Sequence, residues 1–241
     1  MEKFLNNFVE NLKEQFNERL SSVFLYGSCA VEDCSRTFSD INLMVIIKDL
    51  RAVDLKNAHK ASAKYTKDAK YLPIFMDKEE WLNSCDVYPI EYSDIKDRHK
   101  IVHGENLIED LNIEKKYLRL QCEQETKNLL IRLRQTYLAK STDKTAIKNL
   151  IKTSSKTFVV IFRTILRLSN EKVPTTHFDV IRNFSQKMES NEIEFDSELF
   201  EKILEFRKNE KAVKNDELET LIQKMIDTTN SVLKYVDKLE I

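Results

Sequence analysis

The chain has 241 residues, 33% of them charged and 41% hydrophobic, with a formal net charge of −1. That is enough to bury a sizeable core, and two glycines with three prolines exclude a loop-rich all-β fold in favour of long helices. No uninterrupted apolar run reaches the ~18 residues of a membrane span, and the acids and amides of the opening segment read against a signal peptide.

Phe4, Phe8, Leu12 and Phe16 recur at helical spacing, so residues 2–20 are predicted to form an amphipathic helix. SVFLYG and INLMVIIK read as buried strands, with Gly27-Ser28 closing the first. KNAHKASAKYTKDA reads as a helix, KYLPIFM as extended, KEEWLNSC as a short helix or turn, and VYPIEYSDI as extended again. This order predicts a small α/β domain over 1–112. After Asn112 the strand signals stop. Ile113 to Tyr137 and Ile147 to Leu166 carry long helical patterns, and Pro174 in NEKVP stops the second. Phe178 to Met188, Ser197 to Arg207 and Glu217 to Leu239 supply further helices. The expected architecture is therefore α+β: a small mixed-sheet domain over 1–112 followed by an all-α helical bundle over 113–241.

Cys29, Cys34, Cys85 and Cys122 make no C-x-x-C pair and read as reduced thiols of a cytoplasmic protein. Charge is unevenly spread: residues 113–172 hold 14 Lys+Arg against 5 Asp+Glu, whereas residues 1–112 hold 15 against 20. Within the basic segment, Lys144, Lys148, Lys152, Lys156, Arg163 and Arg167 recur along one helix as a stripe, either a solvated face or a surface for polyphosphate or nucleic acid. His99 and His103 are four apart, but no third metal ligand is evident beside them.

The functional signal lies in SVFLYGSCAVEDCSRTFSDINLMVII. A strand ending in Gly27-Ser28 lets the backbone turn sharply and brings N–H groups and a hydroxyl to a ligand such as phosphate. Asp40 and Asn42 lie two apart at the start of the next strand, so their side chains share a face. Oxygen donors across from a phosphate-binding turn suit a divalent metal. This arrangement resembles the nucleotidyltransferases of the DNA polymerase β superfamily. Their pattern runs strand, Gly-Ser, about ten residues, then an apolar-flanked Asp-x-Asp; here eleven residues separate Gly27-Ser28 from DINL. The family's third carboxylate falls on Glu91 in YPIEYSDIKDRHKIVHGE, and the resemblance covers residues 20–110.

What the resemblance implies is binding of a nucleoside triphosphate with Mg²⁺ and transfer of NMP to an acceptor that the sequence does not identify. Gly27 and Ser28 would hold the β- and γ-phosphates, and Asp40, Asn42 and Glu91 would form the catalytic metal site. Two departures qualify the implied activity. The second acid of Asp-x-Asp is Asn42, an uncharged ligand that weakens a two-metal clamp, and Val31-Glu32 replace the small, basic or glycine residues usual after the turn. The other reading is a catalytically inactive pseudoenzyme whose helical domain binds a protein partner. Trp81 and Tyr88 are further candidates to stack on a base, or else core residues.

Overall fold

The computed structural model describes residues 1–31, 41–66 and 73–239. Asp40 and Cys34 lie outside the described residues, and of Ser28 only the backbone is described. The chain divides into two compact units, Met1–Glu114 and Lys115–Ile241.

In the first unit, α1 (Glu2–Phe16) leads through a single 3₁₀ turn into β1 (Leu20–Tyr26), and the four-residue α2 (Ser28–Val31) follows directly. Next come β2 (Asn42–Ile47), α3 (Leu55–Thr66), β3 (Ile74–Asp77), α4 (Lys78–Asn83), α5 (Pro89–Asp97) and β4 (His99–Gly104). The sheet is mixed, in the order β3-β2-β1-β4. β1 runs antiparallel to β2 and β4, while β3, reached through α3, lies parallel to β2. Period-two alternation sorts β2 between two cores. Leu43, Val45 and Ile47 pack with Leu5, Phe8 and Leu12 of α1 and with Ala58 and Ala61 of α3. Met44 and Ile46 pack on the opposite face with Phe24, Trp81, Tyr92 and Ile95. Within this second core Trp81 stacks on Tyr92 at 4.3 Å between centroids, with Phe24 tilted against it at 5.3 Å.

The segment VYPIEYSDI is helical, contrary to its extended expectation. Tyr88, Ile90 and Tyr92 alternate as in a strand, but Pro89 occupies the first turn of α5, where its missing N–H is not needed and its fixed φ starts a helix. Ser93 Oγ donates back to the Pro89 carbonyl at 2.7 Å. The strand of this region is β4, just downstream.

The second unit holds α6 (Lys115–Lys140), α7 (Lys144–Leu168), α8 (His177–Glu189), α9 (Ser197–Lys208) and α10 (Leu218–Lys238). α7 packs against the other four. Its apolar stripe meets an aromatic cluster in which Phe162 stacks on Phe184 at 4.0 Å and Phe195 on Phe200 at 5.0 Å. Side-chain caps start three of these helices: Asp143 accepts from Ala146 N–H, Thr176 from Asp179 N–H and Asp196 from Leu199 N–H. No helix of the described residues is long and apolar enough to cross a membrane.

Candidate functional site

β1 ends in Tyr26, and Gly27 turns the chain at a φ of +79°, a backbone region that side-chain-bearing residues rarely occupy. The turn is held from both sides: Gly27 N–H donates to the Arg98 carbonyl at 3.0 Å, and Ala30 N–H donates to the Gly27 carbonyl at 3.2 Å. Tyr26 and Asn42 face each other across the β1–β2 ladder, so their side chains leave the same face of the sheet. A methyl group on Gly27 would lie 3.2 Å from Asn42 Nδ2, so the glycine also lets that amide come close to the turn.

A cavity of about 530 Å³ opens at this point, and Gly27, Asn42 and Glu91 all line it. The structure thus brings three of the five expected site residues to one cavity. Asp40 and the Ser28 side chain are outside what is described. Glu91 arrives from the first turn of helix α5, and not from a strand. Apart from Trp81 and Tyr88, which it raised as stacking or core residues, sequence reasoning missed the rest of the lining. Met44 follows Asn42 on the same strand face, Met76 lies on β3, and Tyr92 and Arg98 belong to the α5 region. The period-two register of β2 pointed to Met44; the others depend on the parallel β3 pairing and on α5. Trp81 is fully buried and Tyr88 is half exposed, and both line the cavity.

The electrostatics are mild. Arg98 Nη2 lies 3.4 Å from Asp94 Oδ2, one turn earlier, while Arg98 Nε is buried without a hydrogen-bond partner. Burial pushes the Tyr26 hydroxyl pKa above its ordinary value, so the group stays protonated at neutral pH. Magnesium takes six oxygens in octahedral order and leans on carboxylates. Here the described residues offer an amide at Asn42, a carboxylate at Glu91 and a second at Asp94, already set against Arg98, amid thioethers and aromatic rings. Among the described residues no group of three His, Cys, Asp or Glu could hold a metal ion. By themselves they do not fit a two-metal clamp.

Other expectations resolve differently. The α7 stripe is not one solvated face: Arg163 is buried, its Nη2 donating to the carbonyls of Pro174 and Thr175 at 3.0 and 2.7 Å. Lys152 pairs with Glu210, and Lys144 and Lys156 remain exposed. His99 and His103 lie on β4, where four residues span ~13 Å, too far for one metal ion. Cys85 and Cys122 are free thiols, but Cys29 is disulfide-bonded to a partner outside the described residues.

No protein-family model matches the sequence, and no curated protein matches it either. Among solved structures, the chain is similar to spectinomycin adenyltransferase AAD(9) from Enterococcus faecialis, solved with ATP and spectinomycin. The identity is 15%, the TM-score is 0.54, and the match covers 96% of this chain and 98% of that one. A toxin-antitoxin structure with AMP-PNP matches 53% of this chain and 94% of its own at 17% identity, with a TM-score of 0.32. The chain shares the fold of that adenyltransferase, an α+β mixed-sheet unit and a helical unit following it in sequence.

Proposed function

We propose that this protein binds a nucleoside triphosphate, with Mg²⁺ accompanying the phosphates, and that its transfer of NMP is impaired by Asn42. The observation that carries the reading is the Gly27 bend, with Asn42 and Glu91 lining one cavity beside it, on a fold shared with an adenyltransferase solved with ATP. In this reading the Gly27-Ser28 turn grips the triphosphate with backbone N–H groups. Asp40 is the carboxylate assigned to the ion, and Asn42 contributes an amide oxygen without charge. Glu91 lies toward the acceptor side.

Titration calorimetry of the full chain with MgATP, MgCTP, MgGTP and MgUTP tests this. At least one nucleotide is expected to bind in an Mg²⁺-dependent manner, and Asp40→Ala to abolish that binding. Absence of heat with all four overturns the reading. Asn42→Asp restores the missing charge and is expected to tighten Mg²⁺-dependent binding about tenfold, ~1.4 kcal/mol.

A second reading, an inactive member serving as a protein-interaction module, draws on one feature of the helical unit. Leu120, Ile131 and Leu138 of α6 lie three and two turns apart, so they share one face, and all are exposed, Leu138 at 87%. NMP transfer by the unmodified protein eliminates this reading. Transfer that appears only in Asn42→Asp supports it.

A further inference from the structure

Whether or not a nucleotide binds, the cavity beside Gly27 has a chemistry of its own. Met44, Met76 and Trp81 form its floor. The polar tips of the neighbouring aromatics are already used within the fold. Trp81 Nε1–H donates to the Leu107 carbonyl at 3.0 Å, and Tyr92 Oη–H to the Trp81 carbonyl at 2.7 Å. Trp81, Tyr92 and Met44 are themselves buried, so what a ligand meets is the partly buried Met76 thioether backed by them, a polarisable group that adapts to flat apolar partners. At the mouth, Ile74 and Tyr88 are 47% and 51% exposed. These are large side chains left in water beside a concavity of small-molecule size, a pattern of binding grooves.

The polar end is neutral. Tyr26 and Asn42 stand opposite each other and carry no charge. The ionic groups are compensated in part where they stand: Arg98 Nη2 lies against Asp94 while its Nε has no partner, and Glu91 sits exposed in the first turn of α5, where the helix N-terminus favours its charge. Either charged head would shed water against the apolar lining, with Glu91 and Asp94 set against a carboxylate and Arg98 against an ammonium. A hydroxyl suits it better, since it donates to the Asn42 carbonyl oxygen and accepts from the Asn42 amide.

We propose that this cavity binds a small neutral molecule with an apolar ring and a hydroxyl head, the ring against Ile74, Met76 and Tyr88 over the buried Trp81 and the hydroxyl beside Asn42 and Tyr26. Trp81 is the chain's single tryptophan and is fully buried, so its fluorescence reports this cavity alone. The full chain is titrated at pH 7 with 4-nitrobenzyl alcohol, 4-nitrobenzoate and 4-nitrobenzylamine, which share a quenching ring and differ in head charge. N-acetyltryptophanamide corrects for absorption by the probes. The alcohol is expected to quench saturably, and both charged probes to bind at least about fivefold more weakly. Ile74→Asp, at the exposed mouth, is expected to weaken the alcohol about tenfold with the circular dichroism spectrum unchanged. Tyr88→Ala, equally exposed, is a second variant expected to weaken it, should Ile74→Asp disturb β3. The proposal is overturned by unsaturable quenching, by equal or tighter binding of a charged probe, or by both variants binding the alcohol as the parent does. No nucleotide is present in this titration, so its failure leaves the nucleotide reading standing, and failure of MgATP binding leaves this inference standing.

Discussion

Gly104 ends β4 at a φ of +84°, and a methyl group there would lie 2.0 Å from the Ser21 carbonyl oxygen and 2.9 Å from its carbon. The neighbouring backbone cannot yield, because Glu105 N–H donates to that same oxygen at 2.9 Å and Ser22 Oγ donates to the Glu105 carbonyl at 2.7 Å. Gly104→Ala is therefore expected to cost about 3 kcal/mol, combining left-handed strain with a backbone clash, and urea denaturation reads it directly. At Gly27 the blocking atom is the end of the Asn42 side chain, 3.2 Å away, which can swing. Gly27→Ala is expected to cost about 1 kcal/mol of stability and, in the proposed reading, to weaken nucleotide binding further by displacing the Asn42 amide. The chain's only two glycines thus both stand where φ is positive; the turn at Gly27 was legible from its place at the end of an apolar run, whereas nothing in the sequence reading marked Gly104 as a turn. The convergence of Glu91 with Gly27 was legible only by family resemblance, since it depends on α5 bringing its first turn to the β1–β2 edge.

At the level of elements, α1 was readable because it buries one periodic set of residues against one core, and β1 and β2 because each is a short continuous apolar run buried on both faces. α5 was not. Its buried residues Ile90, Tyr92, Ser93 and Ile95 mix periods of two and three, and only the proline at its start separates the alternatives. A different device joins the α1–β1 link to the approach to α3. Arg19 grips Asp54 with both amino groups, at 2.7 and 2.8 Å, and Asp54 also accepts from Arg51 N–H at 3.0 Å. The Arg19 guanidinium, followed by the Arg51 amide, holds the Asp54 carboxyl well below the ordinary carboxylate range. A depressed folded pKa means that the stabilisation is fully present above the unfolded value, about 3.9, and is lost as pH falls below it toward the folded value. Asp54→Asn is expected to lower the urea midpoint at pH 7 and pH 5 by similar amounts, with a narrower gap at pH 3. A gap unchanged at pH 3 would show that the carboxylate charge contributes nothing.

Across the whole molecule, each unit carries its own core, aromatic and sheet-backed in the first and helical around α7 in the second. Trp81 reports only the first, whereas far-UV circular dichroism is dominated by the long helices of the second. Thermal unfolding followed by the two signals is expected to give separate midpoints, and MgATP to raise the Trp81 midpoint. Coincident midpoints would mean that the units melt together. The basic segment read from composition has less reach than its charge count suggested. Burial of Arg163 and pairing of Lys152 remove two of its six members, and the count alone could not distinguish a structural guanidinium from an exposed one. The hydrogen bond from Gly27 N–H to the Arg98 carbonyl reaches further. It joins the bend that the proposed reading assigns to phosphate to the end of α5, where Ile95 and Arg98 line the same cavity. If both proposed guests bind, any effect of one on the other's affinity is reciprocal, and MgATP titrated with and without saturating 4-nitrobenzyl alcohol is expected to yield different dissociation constants.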